Sequence, residues 1–318
     1  MGSYILRRLL INIPVLLGVT ILVFVFIALA PGDPVSAYLS PEQGANPALR
    51  EALRRELGLD QPLPVRYTRW LGMVLQGNLG YRAVGGRPVN EVVGRALVNS
   101  VVLMGTALAI GCLVGIPLGI ISALRQYSAL DFGLTTIAFL GVSSPSFLLG
   151  LGGLYLFGLK LGWFPIAGMV TAGQPFSLLD FLHHLALPSL ILAFAYVAIL
   201  MRYTRSSMLE VIHSAYVVTA RAKGLRERTV VIAHAFRSAL IPVITVIGLA
   251  LPDMIGGAVI TETVFSWPGM GSLFVEGVAG RDYPLIMGIN LAVAVSVLFA
   301  NLLTDVAYAA ADPRIRYS

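Results

Sequence analysis

The stretch YVVTARAKGL, Tyr216 to Leu225, concentrates the chemistry that this chain displays. Arg221 and Lys223 stand in it, and Arg226, Glu227 and Arg228 follow, all between two long apolar runs. Upstream, Met208, Val211, Ile212 and Ala215 recur at helical spacing and make an apolar face that can lie on a bundle. Ala220 and Ala222 are small, so the surface around them can fit closely into a partner's groove. Gly224 suits the left-handed residue that closes a helix. The flanking arginines can orient a partner. This is the chemistry of docking rather than of bond-making. A plain positively charged loop is the alternative, but such a loop needs neither two helices nor a glycine between them.

Other side chains that could carry a reaction lack the company that a reaction needs. Lys160 and Lys223 are the two lysines, and neither follows the G-x-x-x-x-G-K-[ST] spacing that cradles phosphates. The sequence contains no H-E-x-x-H and no G-x-S-x-G. His183 and His184 are adjacent and leave a helix on different faces, so they make a poor metal pair. Cys112 is the single cysteine, which excludes an intrachain disulfide and a cysteine metal cluster. Ser143, Ser144 and Ser146 have no histidine or lysine among the apolar runs to activate them. An enzyme is therefore the weaker reading. Asp253 is the acid placed well inside a run, in IGLALPDMIGGAVI. A charge at mid-bilayer costs about 2.5–3.5 kcal/mol on insertion scales, so Asp253 should face a cavity or a partner rather than lipid. Two roles fit it: contact with a cationic substrate group, or a hydrogen bond that joins helices.

The elements that position these residues are those of an all-α polytopic membrane protein. Of the 318 residues, 57% are hydrophobic and 12% charged, and the mean hydropathy is +0.83; a soluble domain carries roughly 25% charged residues. The net charge of +6 does not point to nucleic acid, because the basic residues sit between apolar runs. Six runs reach bilayer length: Leu9–Ala30, Leu97–Leu124, Phe132–Leu159, Leu185–Met201, Ser238–Thr261 and Tyr283–Thr304. The first, at 22 residues, is longer than the roughly 7–15 of a signal peptide's apolar core, so it is expected to be retained. The short loops with Arg7, Arg8 and Arg125, the connection 202–237 and the tail with Arg314 and Arg316 share one side. The positive-inside rule makes that side, and both termini, cytoplasmic. The chain then divides into a first span (1–30), an external insert (31–96), a transmembrane core of the other five spans with its cytoplasmic loop (97–310, loop 202–237) and a tail (311–318). The insert reads as two short helices, one from Pro47 to Gly58 and one stopped by Gly77. It either caps the bundle mouth or touches substrate. Gly111, Gly115 and Gly119 form a small-residue stripe, expected to pack against another helix.

The 216–225 segment resembles the EAA loop of ABC importer permeases, in the form used by the dipeptide, oligopeptide and nickel subfamily. Tyr216, Thr219, Ala220, Arg221, Ala222, Lys223, Gly224 and Leu225 match that form, as do His234, Ala235, Arg237, Ala239 and Pro242 in the helix after it. YILRRLL, APGDP, LGLDQPLPVRY, SSPSFLLG, LGWFP, ETVFSWPGMG, RDYPL and DPRIR extend the resemblance along nearly the whole chain. Val218 stands where the general motif has glutamate, and Asn78 where aspartate is frequent. The resemblance implies a type I ABC importer permease, a transport subunit that hydrolyses no ATP itself. It implies a second permease chain, two cytoplasmic ATPase subunits that bind ATP and Mg, and an external binding protein. The bilayer is that of a bacterial or archaeal inner membrane. Residues 216–224 would feel ATP-driven closure, while Asn99 and Ser143 to Ser146 would line the path. ETVFSWPGMG would be an external loop near the gate. The competing reading is a proton-coupled secondary transporter, which would need more titratable groups along the spans than Asp253 supplies.

Overall fold

The computed structural model describes residues 2–39 and 46–311. Of the expected tail 311–318, all but Ala311 lies outside the described residues, and Arg314 and Arg316 lie outside with it. The helices, in chain order, are α1 (Gly2–Leu29), α2 (Pro47–Glu56), α3 (Leu63–Leu75) and α4 (Val89–Leu124). Next come α5 (Ala129–Ser143), α6 (Ser146–Lys160), α7 (Leu178–Val211) and α8 (Ala215–Ala222). Helix α9 is built from Glu227–Thr229, a π-helical stretch Val230–Phe236 and Arg237–Gly256. It is followed by α10 (Val259–Val264), α11 (Met270–Gly280) and α12 (Tyr283–Ala311). The β-structure among the described residues is one isolated bridge, Tyr81 to Pro88.

Five of these, α1, α4, α7, α9 and α12, are long and apolar enough to cross a membrane. The expected third span, Phe132–Leu159, is not one straight helix: α5 and α6 meet at 101°, and they make the sixth crossing if the bent pair is one span. The cause is local. Pro145 disfavours helical geometry in the residue before it, and Ser144 is extended at φ −79°, ψ 131°. The expected fourth span grows at both ends into α7. The fifth stops short of Thr261, because α9 ends at Gly256 and Gly257 takes φ +79°, a region open to glycine.

Helices α4 and α7 make the central pair. The Gly111–Gly115–Gly119 stripe is the contact: added Cβ atoms would lie 2.6 Å from Tyr196 Cβ, 2.8 Å from the Val197 carbonyl oxygen and 2.6 Å from the Met201 carbonyl oxygen. Two of those neighbours are backbone, so a side chain can fit only if the helices part. Gly115→Val is expected to lower the thermal midpoint in detergent by about 3 °C or more, for an overpacking cost of roughly 1–3 kcal/mol. Gly152→Val, whose Cβ meets open space, is the control. Equal midpoints for the two variants would mean that the stripe does not set the packing.

The bundle has two distinct ends. At one, Arg8 of α1 pairs with Asp305 of α12 at 3.2 Å, so the first and last spans begin and finish together. At the other, Val89 and Val93 of α4 pack with Met270 of α11 and Leu285 of α12. The insert sits at that second end. Asn46 caps α2 by accepting from the backbone of Ala48 and Leu49. Arg50 and Arg54 pair with Asp33 at 2.6 and 3.3 Å. Arg82 reaches Glu276 at 2.6 Å and the buried Asp282 at 3.4 Å. Burial works against the Arg82 charge, but the two carboxylates outweigh it and raise its pKa above the ordinary arginine value. The insert is thus clamped onto α11 and α12 rather than tethered loosely.

Candidate functional site

Helix α8 lies at the end of the bundle that holds Arg8 and Asp305, against the C-terminal turns of α4 and α7. Its inner face is Val217 and Ala220, both buried in a cluster with Ala123 of α4, Met208 of α7 and Val230, Val231 and Ala235 of α9. Its outer face is Tyr216, Val218, Thr219 and Ala222, which are exposed and run on into Lys223, Gly224 and Leu225. The structure therefore corrects one detail of the sequence reading. Ala220 is small because it meets the bundle, at 6% exposure; of the two alanines, Ala222 is the one that faces outward. The apolar periodicity placed Met208 correctly, but residue type alone does not distinguish an alanine facing its own chain from one facing a partner.

Gly224, at φ +73°, turns the chain into α9, and its N–H donates to the Arg221 carbonyl at 2.9 Å. Arg221 is engaged within the chain. Its Nη2 donates to Glu227 Oε1 at 2.8 Å across the turn, and its Nη1 to the Ile212 carbonyl at 3.4 Å. The bond to Glu227 raises its pKa above the ordinary arginine value. Arg221 therefore fixes the angle of the corner, and Lys223, Arg226 and Arg228 are the cations left pointing outward. The result is a rigid, exposed, cationic corner with an apolar seat.

A second feature, which the sequence did not disclose, holds that seat. Asp131, in the first turn of α5, is 4% exposed. Arg205 of α7 grips it with two bonds of 2.8 Å, Nε to Oδ1 and Nη2 to Oδ2. The Ser122 hydroxyl of α4 donates to Oδ1, and the Tyr127 N–H donates to Oδ2 at 3.0 Å. One carboxylate thus ties three helices together beneath α8. The partners are 74 residues apart, so no local pattern reveals them.

At the insert end, the ETVFSWPGMG segment wraps onto α4. Glu262 is fully buried. It accepts from the Ser100 hydroxyl at 2.6 Å and from the Ser272 N–H at 2.9 Å, and the absence of a side chain at Gly269 leaves it room. Trp267, also fully buried, donates through Nε1 to the Asn99 carbonyl at 3.0 Å, and Asn99 Nδ2 donates to the Pro268 carbonyl at 2.8 Å. Asn99 is therefore tied to this wrap. It also lines a cleft of about 300 Å³, together with Arg87, Arg95, Pro268 and Glu276.

The remaining expected path residues do not gather in that cleft. Ser143 and Ser146 are exposed on either side of the α5–α6 bend. Asp253 lies in the last turn of α9, not well inside a longer helix, because the helix ends at Gly256. Its side chain is exposed in the single chain and makes no hydrogen bond among the described residues. With Leu249 one turn before it, Asp253 forms a stripe on α9 that the chain's own helices leave uncovered. His183 and His184 bond separately to the Trp163 and Asp180 carbonyls at 2.8 and 2.9 Å.

Residues 115–317 match the family model described as binding-protein-dependent transport system inner membrane component, and residues 1–106 match the model of its N-terminal part. A Brucella suis biovar 1 protein provisionally named a peptide permease is 48% identical over 317 residues, 99% of each chain. The oligopeptide transport system permease protein AppB of Bacillus subtilis is 44% identical over 318 residues, the whole of both chains. The glutathione transport system permease protein GsiC of Pectobacterium atrosepticum is 41% identical, again over the whole of both. Among solved structures, the inward-facing MetNI methionine ABC transporter superposes with a TM-score of 0.57 at 14% identity, over 70% of this chain and 96% of that one; this likeness concerns the fold.

Proposed function

Because the chain belongs to the family of binding-protein-dependent transport system inner membrane components, we propose that it forms one half of the path by which an importer admits peptides or a related small solute. It is a membrane permease subunit of a bacterial ABC importer, a multi-pass inner-membrane protein, and ATP hydrolysis belongs to its partners. The partners in this reading are a second homologous permease, two cytoplasmic ATPase subunits carrying ATP and Mg, and an external binding protein. The end with α8, Arg8 and Asp305 is the cytoplasmic one. The observation that carries this reading is the exposed cationic corner of α8 and Gly224, seated on its own apolar cluster. A rigid convex helix can transmit a push, whereas a mobile loop would absorb it. The relatives named for peptides and for glutathione support a substrate with an amide backbone and charged ends. Nothing in the structure or the relatives favours a proton-coupled mechanism.

The test is uptake by proteoliposomes that contain both permeases, the ATPase subunits and the cognate binding protein, with labelled peptides of different charge. Asp253, uncovered by its own chain, is read as lining the path between the two permeases. A unit charge at about 4 Å is worth about 1–4 kcal/mol between water-like and protein-surface dielectric. Asp253→Asn keeps the shape and removes the charge. Transport of cationic peptides is expected to fall about fivefold or more, with neutral peptides little changed. If both classes move at the wild-type rate, Asp253 only packs.

A further inference from the structure

We propose that the groove between the end of α1, helix α3 and the start of α12 binds a phosphate group, in the membrane the headgroup of an acidic phospholipid. This inference needs only that the bundle lies in a bilayer and is independent of the transported solute.

The groove encloses about 230 Å³. Its apolar wall comes from Phe24 and Ile27 of α1 and Met287 of α12, and its polar rim includes Arg66, Arg69 and Trp70 of α3. Helix α3 is held there by the Thr20–Tyr67 hydroxyl contact at 2.9 Å and by the packing of Phe24 with Tyr67 and Trp70. Helix α1 ends and α12 begins at this level, so the groove opens where a lipid's polar head meets its chains. Tryptophan and tyrosine favour that level.

The charges point to an anion. Of the eight arginines of the insert, Arg50, Arg54, Arg55, Arg82 and Arg95 are paired with acids, and Arg87 lines the cleft at Asn99 together with Glu91 and Glu276. Arg66 and Arg69 form neither an ion pair nor a hydrogen bond among the described residues. Arg66 is half-buried, its guanidinium 5.9 Å from the centre of the Phe24 ring, and burial lowers its pKa below the ordinary value. Arg69 lies across Gly58, where a Cβ would come within 2.5 Å of its Nη1. Trp70 is more than nine-tenths buried, yet its indole N–H has no acceptor. A buried donor without a partner is costly, and so is a desolvated cation without a counter-charge. A phosphate oxyanion meets the demand of the half-buried Arg66 fork, and the exposed Arg69 fork on the same rim adds a second donor set to it. The apolar wall below accommodates an acyl chain, which a free phosphate would leave empty.

The experiment is native mass spectrometry of the full-length chain in detergent with equal amounts of dioleoyl phosphatidylglycerol and dioleoyl phosphatidylcholine. Wild type is expected to retain one phosphatidylglycerol with a preference of about tenfold. Arg66→Gln with Arg69→Gln should bring that preference to within about twofold, whereas Arg66→Lys with Arg69→Lys should keep most of it. If the glutamine pair does not fold, Arg66→Gln alone, which leaves Arg69 and the apolar wall in place, should weaken retention about threefold. Inorganic phosphate at about 10 mM should leave the lipid bound; complete displacement would keep the phosphate site and assign it to a free anion. Equal retention of both lipids by wild type, or an undiminished preference in the glutamine pair, overturns the proposal.

Discussion

Replacing Ala220 with tryptophan is expected to reduce substrate-stimulated ATP hydrolysis by the assembled importer about tenfold or more, while the chain still inserts and pairs. Ala220 is the floor of the α8 seat, packed in one cluster with Met208, Val217 and Val230. An indole cannot fit there without moving something, and overpacking costs roughly 1–3 kcal/mol. Helix α8 has eight residues and is joined by short turns, so lifting α8 is the easiest relief. Lifting displaces Tyr216, Thr219, Ala222 and Lys223 together from the position a partner would meet. Ala222→Trp makes the informative comparison. Its site is already exposed, so it should leave the thermal midpoint alone and instead weaken co-purification of the ATPase. If Ala220→Trp supports wild-type stimulated turnover, the seat has no role in coupling. If Ala222→Trp co-purifies normally, the outward face is not the contact.

The second large effect is expected at Asp131. Asp131→Ala removes the acceptor for Arg205, Ser122 and the Tyr127 N–H together. Breaking a buried pair from one side costs about 3–5 kcal/mol, because the surviving charge is left without compensation. The loss should appear as a lower thermal midpoint in detergent. Weaker coupling should accompany it, since Met208, one turn beyond Arg205, belongs to the α8 seat. Arg205→Ala should be comparably harmful. The double variant should recover part of the loss, because neither charge is then stranded. A double-mutant cycle is expected to give a coupling energy of about 2 kcal/mol or more. Additive single effects would mean that the pair is no lock, and that α5 is held to α7 by apolar contacts alone.

Much of the chain was legible before folding, for a physical reason. A bilayer crossing demands a long apolar run whatever its neighbours, so α1, α4, α9 and α12 could be read from composition, though with approximate ends. The α5–α6 break was harder, because Pro145 can be tolerated within a membrane helix or can end one; here the extended Ser144 before it ends one. The insert's two helices were legible from Pro47, Gly58 and Gly77, because caps act locally. The end of α9 is not legible locally, because Gly256 and Gly257 permit either continuation or a turn; the structure takes the turn, with Gly257 at φ +79°.

By itself, then, the sequence determined that this is a helical membrane protein with a charged, glycine-broken corner between two spans, and it carried the motif matches that name its family. Hydropathy and local backbone preference need only neighbouring residues. The tertiary structure alone decided that Ala220 faces inward and Ala222 outward, and that Arg221 is spent on Glu227. It alone buried Asp131 against Arg205 and Glu262 against Ser100, and left Arg66 and Arg69 without acids. Each of these depends on which groups meet across large separations in the chain. The energy of a buried charge is set by those meetings and not by the residues beside it in sequence.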